Sequence, residues 1–193
     1  LAIGNDDVTT FDILLNNTPS MQHTDGYTEL LFSTAINNKV RMIERITTLG
    51  ADLRAVDDKS GESIIHLAAS SVEILKILSQ KGLDMNALSP HQQTPLHLSQ
   101  NAEAVKFLLN EGVKIDAVDE YGWMAFHYAV LDADIEILNL LLSNGADASI
   151  PTQKKLDALQ SGLSVPANST PLQIAEIAIA FHKDKPELQS KLN

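Results

Sequence analysis

Apolar positions recur along the chain in two alternating patterns. The first is a short cluster, written Ser63-Ile64-Ile65-His66-Leu67-Ala68, then Thr94-Pro95-Leu96-His97-Leu98-Ser99, then Met124-Ala125-Phe126-His127-Tyr128-Ala129, then Thr170-Pro171-Leu172-Gln173-Ile174-Ala175. The second has apolar residues at helical spacing and ends near a glycine: Ile74 to Leu78 before Gly82, Val105 to Leu109 before Gly112, Ile137 to Leu142 before Gly145. Proline is tolerated in a helix's first turn, where its missing N–H is not needed, so Thr94-Pro95 and Thr170-Pro171 read as N-cap and first helical residue. A glycine after the second run suits the left-handed residue that ends a helix. Each unit therefore reads helix, short turn, helix, loop. One such pair has an apolar face it cannot bury alone, and stacked neighbours must cover it.

The histidines of the first pattern stand 31 and 30 residues apart. Self-similarity at that period marks a repeat array. An earlier copy ends in Leu49-Gly50-Ala51-Asp52. These residues resemble the ankyrin repeat, whose hallmark is Thr-Pro-Leu-His-x-Ala at a period near 33. The resemblance covers nearly the whole chain, apart from a segment near 151–168. It implies an all-α solenoid of about five to six stacked helix-turn-helix units, some shortened, with no extended sheet. The expected division of the single domain is a truncated first repeat over 1–25, repeats over 26–57, 58–88, 89–118 and 119–150, an insertion over 151–168, and a C-terminal repeat or cap over 169–193.

The copies differ. In the first, Leu1-Ala2 reads as the end of a first helix and Phe11 to Leu15 as the second; the missing opening turn suggests a longer parent. The second opens at Gly26, with Glu29 where proline is usual and Phe32 near the usual histidine. Ser63 and Gly82 stand 19 positions apart in the third copy and Thr94 and Gly112 stand 18 apart in the fourth, against 21 between Met124 and Gly145 in the fifth. Clipped turns or shortened helices are expected around Ser70-Ser71 and Gln100-Asn101. The insertion, with Ser161-Gly162 and Pro166, reads as an extended hairpin loop with a short helix at Gln153–Leu159. An apolar helix through Ile174, Ile177, Ala178 and Phe181 follows, and Pro186 to Leu192 reads as a final capping helix.

Composition narrows the function. Hydrophobic residues make up 44% of the 193 residues and charged residues 20%, which argues against a disordered chain. The net charge of −11 repels phosphate backbones, so nucleic acid and anionic membranes are not expected partners. The absence of cysteine excludes disulfides and thiolate metal sites. No apolar run approaches the roughly 20 residues that span a bilayer, and the first residues lack the basic start and apolar stretch of a signal peptide. The expected compartment is the cytoplasm, or the host cytosol for a delivered bacterial effector.

His66, His97 and His127 invite a metal reading. Occupying one repeat position, they are spaced along the stack by roughly a helix-pair width of 8–10 Å, too far to share a zinc that needs ligands at about 2 Å. The family resemblance makes this histidine a structural hydrogen-bonding residue. No His-Glu-x-x-His, phosphate-cradling glycine loop or Gly-x-Ser-x-Gly occurs, so neither catalysis nor a cofactor is expected.

The resemblance places the residues beside each turn glycine at the tips of finger-like hairpins that face the concave side. Tyr121 and Trp123 flank Gly122 there, next to Glu120. Both are residue types enriched in binding hot spots, although Trp123 could equally pack on a neighbouring repeat. Equivalent tips are Lys59, Ser60 and Glu62, and then His91, Gln92 and Gln93. Leu131 and Asp132 extend the same face; the other reading of Leu131 is a contact with the shortened fourth copy. The expected function is a scaffold that binds another protein, with no small-molecule ligand. The alternative is a targeting arm of a larger enzyme or bacterial effector with its chemistry elsewhere.

Overall fold

The computed structural model describes residues 7–17, 24–158 and 163–184. Among these residues the chain forms ten helices and one antiparallel two-stranded hairpin. The helices are α1 (Val8–Asn17), α2 (Thr24–Ile36), α3 (Val40–Thr48), α4 (Ile64–Leu67), α5 (Val72–Gln80), α6 (Pro95–Leu98), α7 (Ala102–Asn110), α8 (Ala125–Leu131), α9 (Ile135–Ser143) and α10 (Pro171–Asp184). The strands β1 (Leu156–Ala158) and β2 (Leu163–Val165) lie between α9 and α10.

The helices stack in two rows. The first helices of the copies, α2, α4, α6, α8 and α10, touch one after another, and so do the second helices α1, α3, α5, α7 and α9. The result is an all-α solenoid. Its core runs continuously through Ile43, Ile46, Ile64, Leu75, Leu78, Leu108 and Leu141, all essentially inaccessible to solvent. Burying each such side chain contributes about 1.5–3 kcal/mol, which no single helix pair could collect alone.

The helix ends follow from local chemistry. Ser71 Oγ, Asn101 Oδ1 and Asp134 Oδ1 each accept the backbone N–H three residues on, capping α5, α7 and α9. Thr94 caps α6, with Pro95 opening the helix.

The shortening of the third and fourth copies falls on the first helices. α4 and α6 have four residues each, against seven in α8. Ser99 turns extended straight after α6, with φ −77° and ψ 122°. Two expectations need correction. α2 already begins at Thr24, so Gly26 lies inside a helix and does not open the copy. The insertion is a hairpin, as expected, but residues 156–158 are a strand and not part of a helix. An isolated helix of that length would be a costly nucleus, whereas antiparallel pairing of Leu156 with Val165 satisfies the backbone directly. Leu159 lies outside the described residues, as do Leu1-Ala2 and the expected helix from Pro186 to Leu192.

The hairpin returns to the stack at a closed base. The buried Thr152 donates its N–H to Ser169 O at 3.0 Å and accepts from Asn168 N–H at 2.9 Å. Its hydroxyl oxygen accepts from Ser169 N–H at 3.1 Å.

Candidate functional site

The repeated histidines are clips between copies. Thr94 N–H donates to His97 Nδ1 at 3.1 Å, and Met124 N–H donates to His127 Nδ1 at 2.9 Å. A donor at Nδ1 leaves the ring proton on Nε2. That proton goes to the next loop: His97 Nε2 donates to Trp123 O at 3.0 Å and His127 Nε2 to Ile150 O at 2.8 Å. His66 repeats the arrangement, with Nδ1 on Ser63 Oγ at 2.8 Å and Nε2 facing Ala87 O and Gln93 O at 3.0 and 3.1 Å. Burial holds all three below the ordinary histidine range, against the opposing pull of the carbonyls they face. With both ring nitrogens engaged inside the fold, these histidines have no free nitrogen for a metal.

The fingers between copies are closed by backbone bonds: Asp57 N–H to Glu62 O, Ser89 N–H to Gln93 O and Asp119 N–H to Trp123 O, at 2.8, 2.9 and 2.9 Å. Adjacent fingers hold each other. Glu120 N–H donates to His91 O at 3.0 Å, and the Glu120 carboxylate meets His91 Nδ1. A Cβ on Gly61 would stand 2.8 Å from Pro90 Cγ, so those two fingers are also in contact. On this frame Lys59, Ser60, His91 and Gln92 are exposed, while Glu62, Gln93, Glu120 and Tyr121 are half-buried.

The buried Asp119 organises the last finger. Its Oδ1 accepts from Tyr121 N–H and Trp123 N–H, both at 2.9 Å. Its Oδ2 accepts from the Tyr128 hydroxyl at 2.6 Å and from Gln93 Nε2 at 3.5 Å. Burial, and then the neighbouring Asp119, push the Tyr128 phenol far above its usual range.

Trp123 corrects the expectation of a surface anchor. It is fully buried in a second, small core with Val165 and Ile174, flanked by Tyr121, Tyr128, Val130, Leu131 and Ile177. Its ring centroid lies 5.1 Å from that of Tyr128 and 5.8 Å from that of His127. Leu131 is likewise part-buried, packed against this core, and is not an exposed contact. The covering elements are the chain's own. Tyr121 O accepts from Gln153 N–H at 3.2 Å and Lys154 N–H at 2.8 Å, so the insertion begins on this fingertip. Gly122, at φ +74°, has Gln153 Cγ within 2.4 Å of where a Cβ would stand. Only glycine admits both that conformation and that approach.

The early end of α6 leaves a cleft of about 200 Å³ beside α8, lined by Gln93, His97, Gln100, Tyr128, Asp132 and Asp134. Asp132 stands at its rim, its carboxyl raised by partial burial and then by Asp134. A further feature was missed from sequence. Val56, Leu88 and Val118, one per finger, are 52%, 62% and 39% exposed. Each stands directly before the residue that closes its finger, namely Asp57, Ser89 and Asp119, so the signal was a shared repeat phase. From sequence, aliphatic residues in phase read as core.

Residues 71–152 match the family model for ankyrin repeats in three copies. The chain is 31% identical over 142 residues to the nuclear factor NF-kappa-B p105 subunit of Gallus gallus, covering 68% of this chain and 14% of that protein. It is 31% identical over 132 residues to an ankyrin repeat protein of Rickettsia felis, covering 64% and 33%. It is 28% identical over 158 residues to the ankyrin repeat protein nuc-2 of Neurospora crassa, covering 77% and 14%. The chain thus spans between about a seventh and a third of the length of these relatives. With its helix pairs stacked in this phase and its central copies matching the repeat, the chain belongs to the ankyrin-repeat family.

Proposed function

We propose that this chain is a rigid scaffold that binds a partner protein through its fingers and the adjoining first-helix face. Ankyrin repeats in general serve as protein–protein interaction modules. The observation that supports the reading here is the exposed polar tip row, Lys59, Ser60, His91 and Gln92, standing on pinned backbone. Asp57 Oδ2 accepts from Lys59 N–H and Ser60 N–H at 3.2 and 2.9 Å, and Ser89 Oγ accepts from Gln93 N–H at 3.2 Å. Contacts between neighbouring fingers lock the row further. A surface held this way loses little conformational entropy on binding, so a few contacts suffice. Glu62, Gln93, Glu120 and Asp132 join the same surface, and the half-buried Tyr121 contributes in part. We assign the chain no catalytic step. If the repeats serve as the targeting arm of a larger enzyme or effector, the same surface does the targeting.

The test is affinity capture with this chain, identification of the bound protein, and titration of that protein against Lys59→Ala/Ser60→Ala and His91→Ala/Gln92→Ala. A changed affinity with an unchanged melting curve supports the reading. Unchanged affinity in both variants moves the site off the fingers.

A further inference from the structure

We infer that the groove between α2 and the finger joining the second and third copies takes a partner segment in which an aliphatic or aromatic side chain is flanked by lysine or arginine. The inference rests on the scaffold reading and specifies the chemistry of what is bound. The groove has a volume of about 850 Å³, four times that of the cleft beside α8. It is lined by Glu29, Phe32 and Ile36 from α2 and by Asp52, Val56 and Asp58 from the finger.

Two properties coincide there. Ile36 is 63% exposed and Val56 52% exposed, so two large aliphatic side chains face one depression over a floor containing the buried Phe32. Removing such side chains from water on binding is favourable at roughly 25 cal/mol per Å². Val56 is also the first of three exposed finger aliphatics, with Leu88 and Val118 at the same repeat phase. The rim is acidic. Glu29, Asp52, Asp57 and Asp58 line the groove, and Lys59 is the only cation among its lining residues. Among the described residues no ion pair joins Glu29 or Asp58 to a basic side chain.

Charge selects the occupant. Segments rich in Asp, Glu or phosphate meet like charge at the rim and across a chain of net charge −11. A second copy of this chain meets the same repulsion. A basic segment gains attraction on approach, and its apolar residue covers Ile36 and Val56.

The probe is a phage-displayed library of random twelve-residue peptides selected on this chain at low salt. The expected winners carry at least one large apolar residue next to lysine or arginine. A synthetic winner should bind Ile36→Ser/Val56→Ser roughly thirtyfold more weakly, the size of an anchor's loss. It should also bind Glu29→Gln/Asp58→Asn more weakly, with a flatter salt dependence. All four positions are exposed, and melting curves matching the parent show that the fold is intact. Acidic or neutral winners overturn the proposal. So do basic winners whose binding ignores the groove variants but is lost in His91→Ala/Gln92→Ala, an outcome that leaves the scaffold reading standing. Failure to enrich any peptide counts against both.

Discussion

His97 donates from Nε2 to the carbonyl oxygen of Trp123 at 3.0 Å, tying the first helix of the fourth copy to the finger of the fifth. The backbone N–H of Thr94 donates to Nδ1 of the same ring, and that bond requires a neutral imidazole, because a protonated Nδ1 cannot accept. His66 and His127 bridge their own junctions in the same way.

Stability should therefore fall on mild acidification. The three histidines have folded-state values below the unfolded 6.5, so the unfolded chain takes up protons first. Their contribution is complete above about pH 6.5 and is lost as the pH falls from there through the folded values. Asp7, Asp57 and Asp147, lowered below 3.8 by hydrogen bonds from nearby Thr or Ser residues, add a separate loss only in stronger acid. Asp132, raised, works in the opposite direction. Denaturant midpoints measured at about pH 7.5 and about pH 5.5 should differ clearly; equal midpoints would falsify the role assigned to the clips.

Trp123→Ala should behave as a core deletion, costing about 3–5 kcal/mol of unfolding free energy. Trp123→Phe should cost much less. The indole Nε1 has no hydrogen-bond partner among the described residues, so phenylalanine forfeits packing but no bond. Circular-dichroism melts of the two variants decide this, since Trp123 is the sole tryptophan and fluorescence is lost with it. A Trp123→Ala protein as stable as the parent would mean the small core contributes nothing.

Gly122→Ala should be more damaging than Gly82→Ala. Both glycines have positive φ, +74° and +79°, so both substitutions carry backbone strain of about 1 kcal/mol or more. At Gly82 a Cβ meets nothing within 4 Å, whereas at Gly122 it meets Gln153 Cβ and Cγ at 2.5 and 2.4 Å. The excess loss at Gly122 measures how firmly the insertion is seated. Gln153→Gly should recover part of it, and an identical loss at the two sites would argue that the insertion does not press on this finger.

Leu96→Ala tests the register of the stack. Leu96 is 2% exposed, and truncation of a buried leucine costs about 2–5 kcal/mol. A loss under about 1 kcal/mol in urea unfolding would place the side chain at the surface.

The repeat itself was legible in the chain. Thr94-Pro95 opening α6, the histidines in phase, the glycine after each second helix and the shortness of the third and fourth copies are all decided within a few residues, by capping, proline geometry and apolar spacing. Local chemistry of that kind survives in one dimension. The strand at 156–158 was not legible, because its stability depends on Leu163–Val165 lying opposite. The fate of Trp123 was not legible either. Its place beside a turn glycine fits an exposed anchor, and only the return of Val165 and Ile174 from the far side of the insertion buries it. Val56 and Ile36 show the converse, large aliphatic residues that no element among the described residues covers. Sequence determined which segments become helices and how they repeat, because those choices are made by neighbours along the chain. Tertiary structure decided which side chains remain at the surface, because exposure depends on which distant segment comes to lie over them.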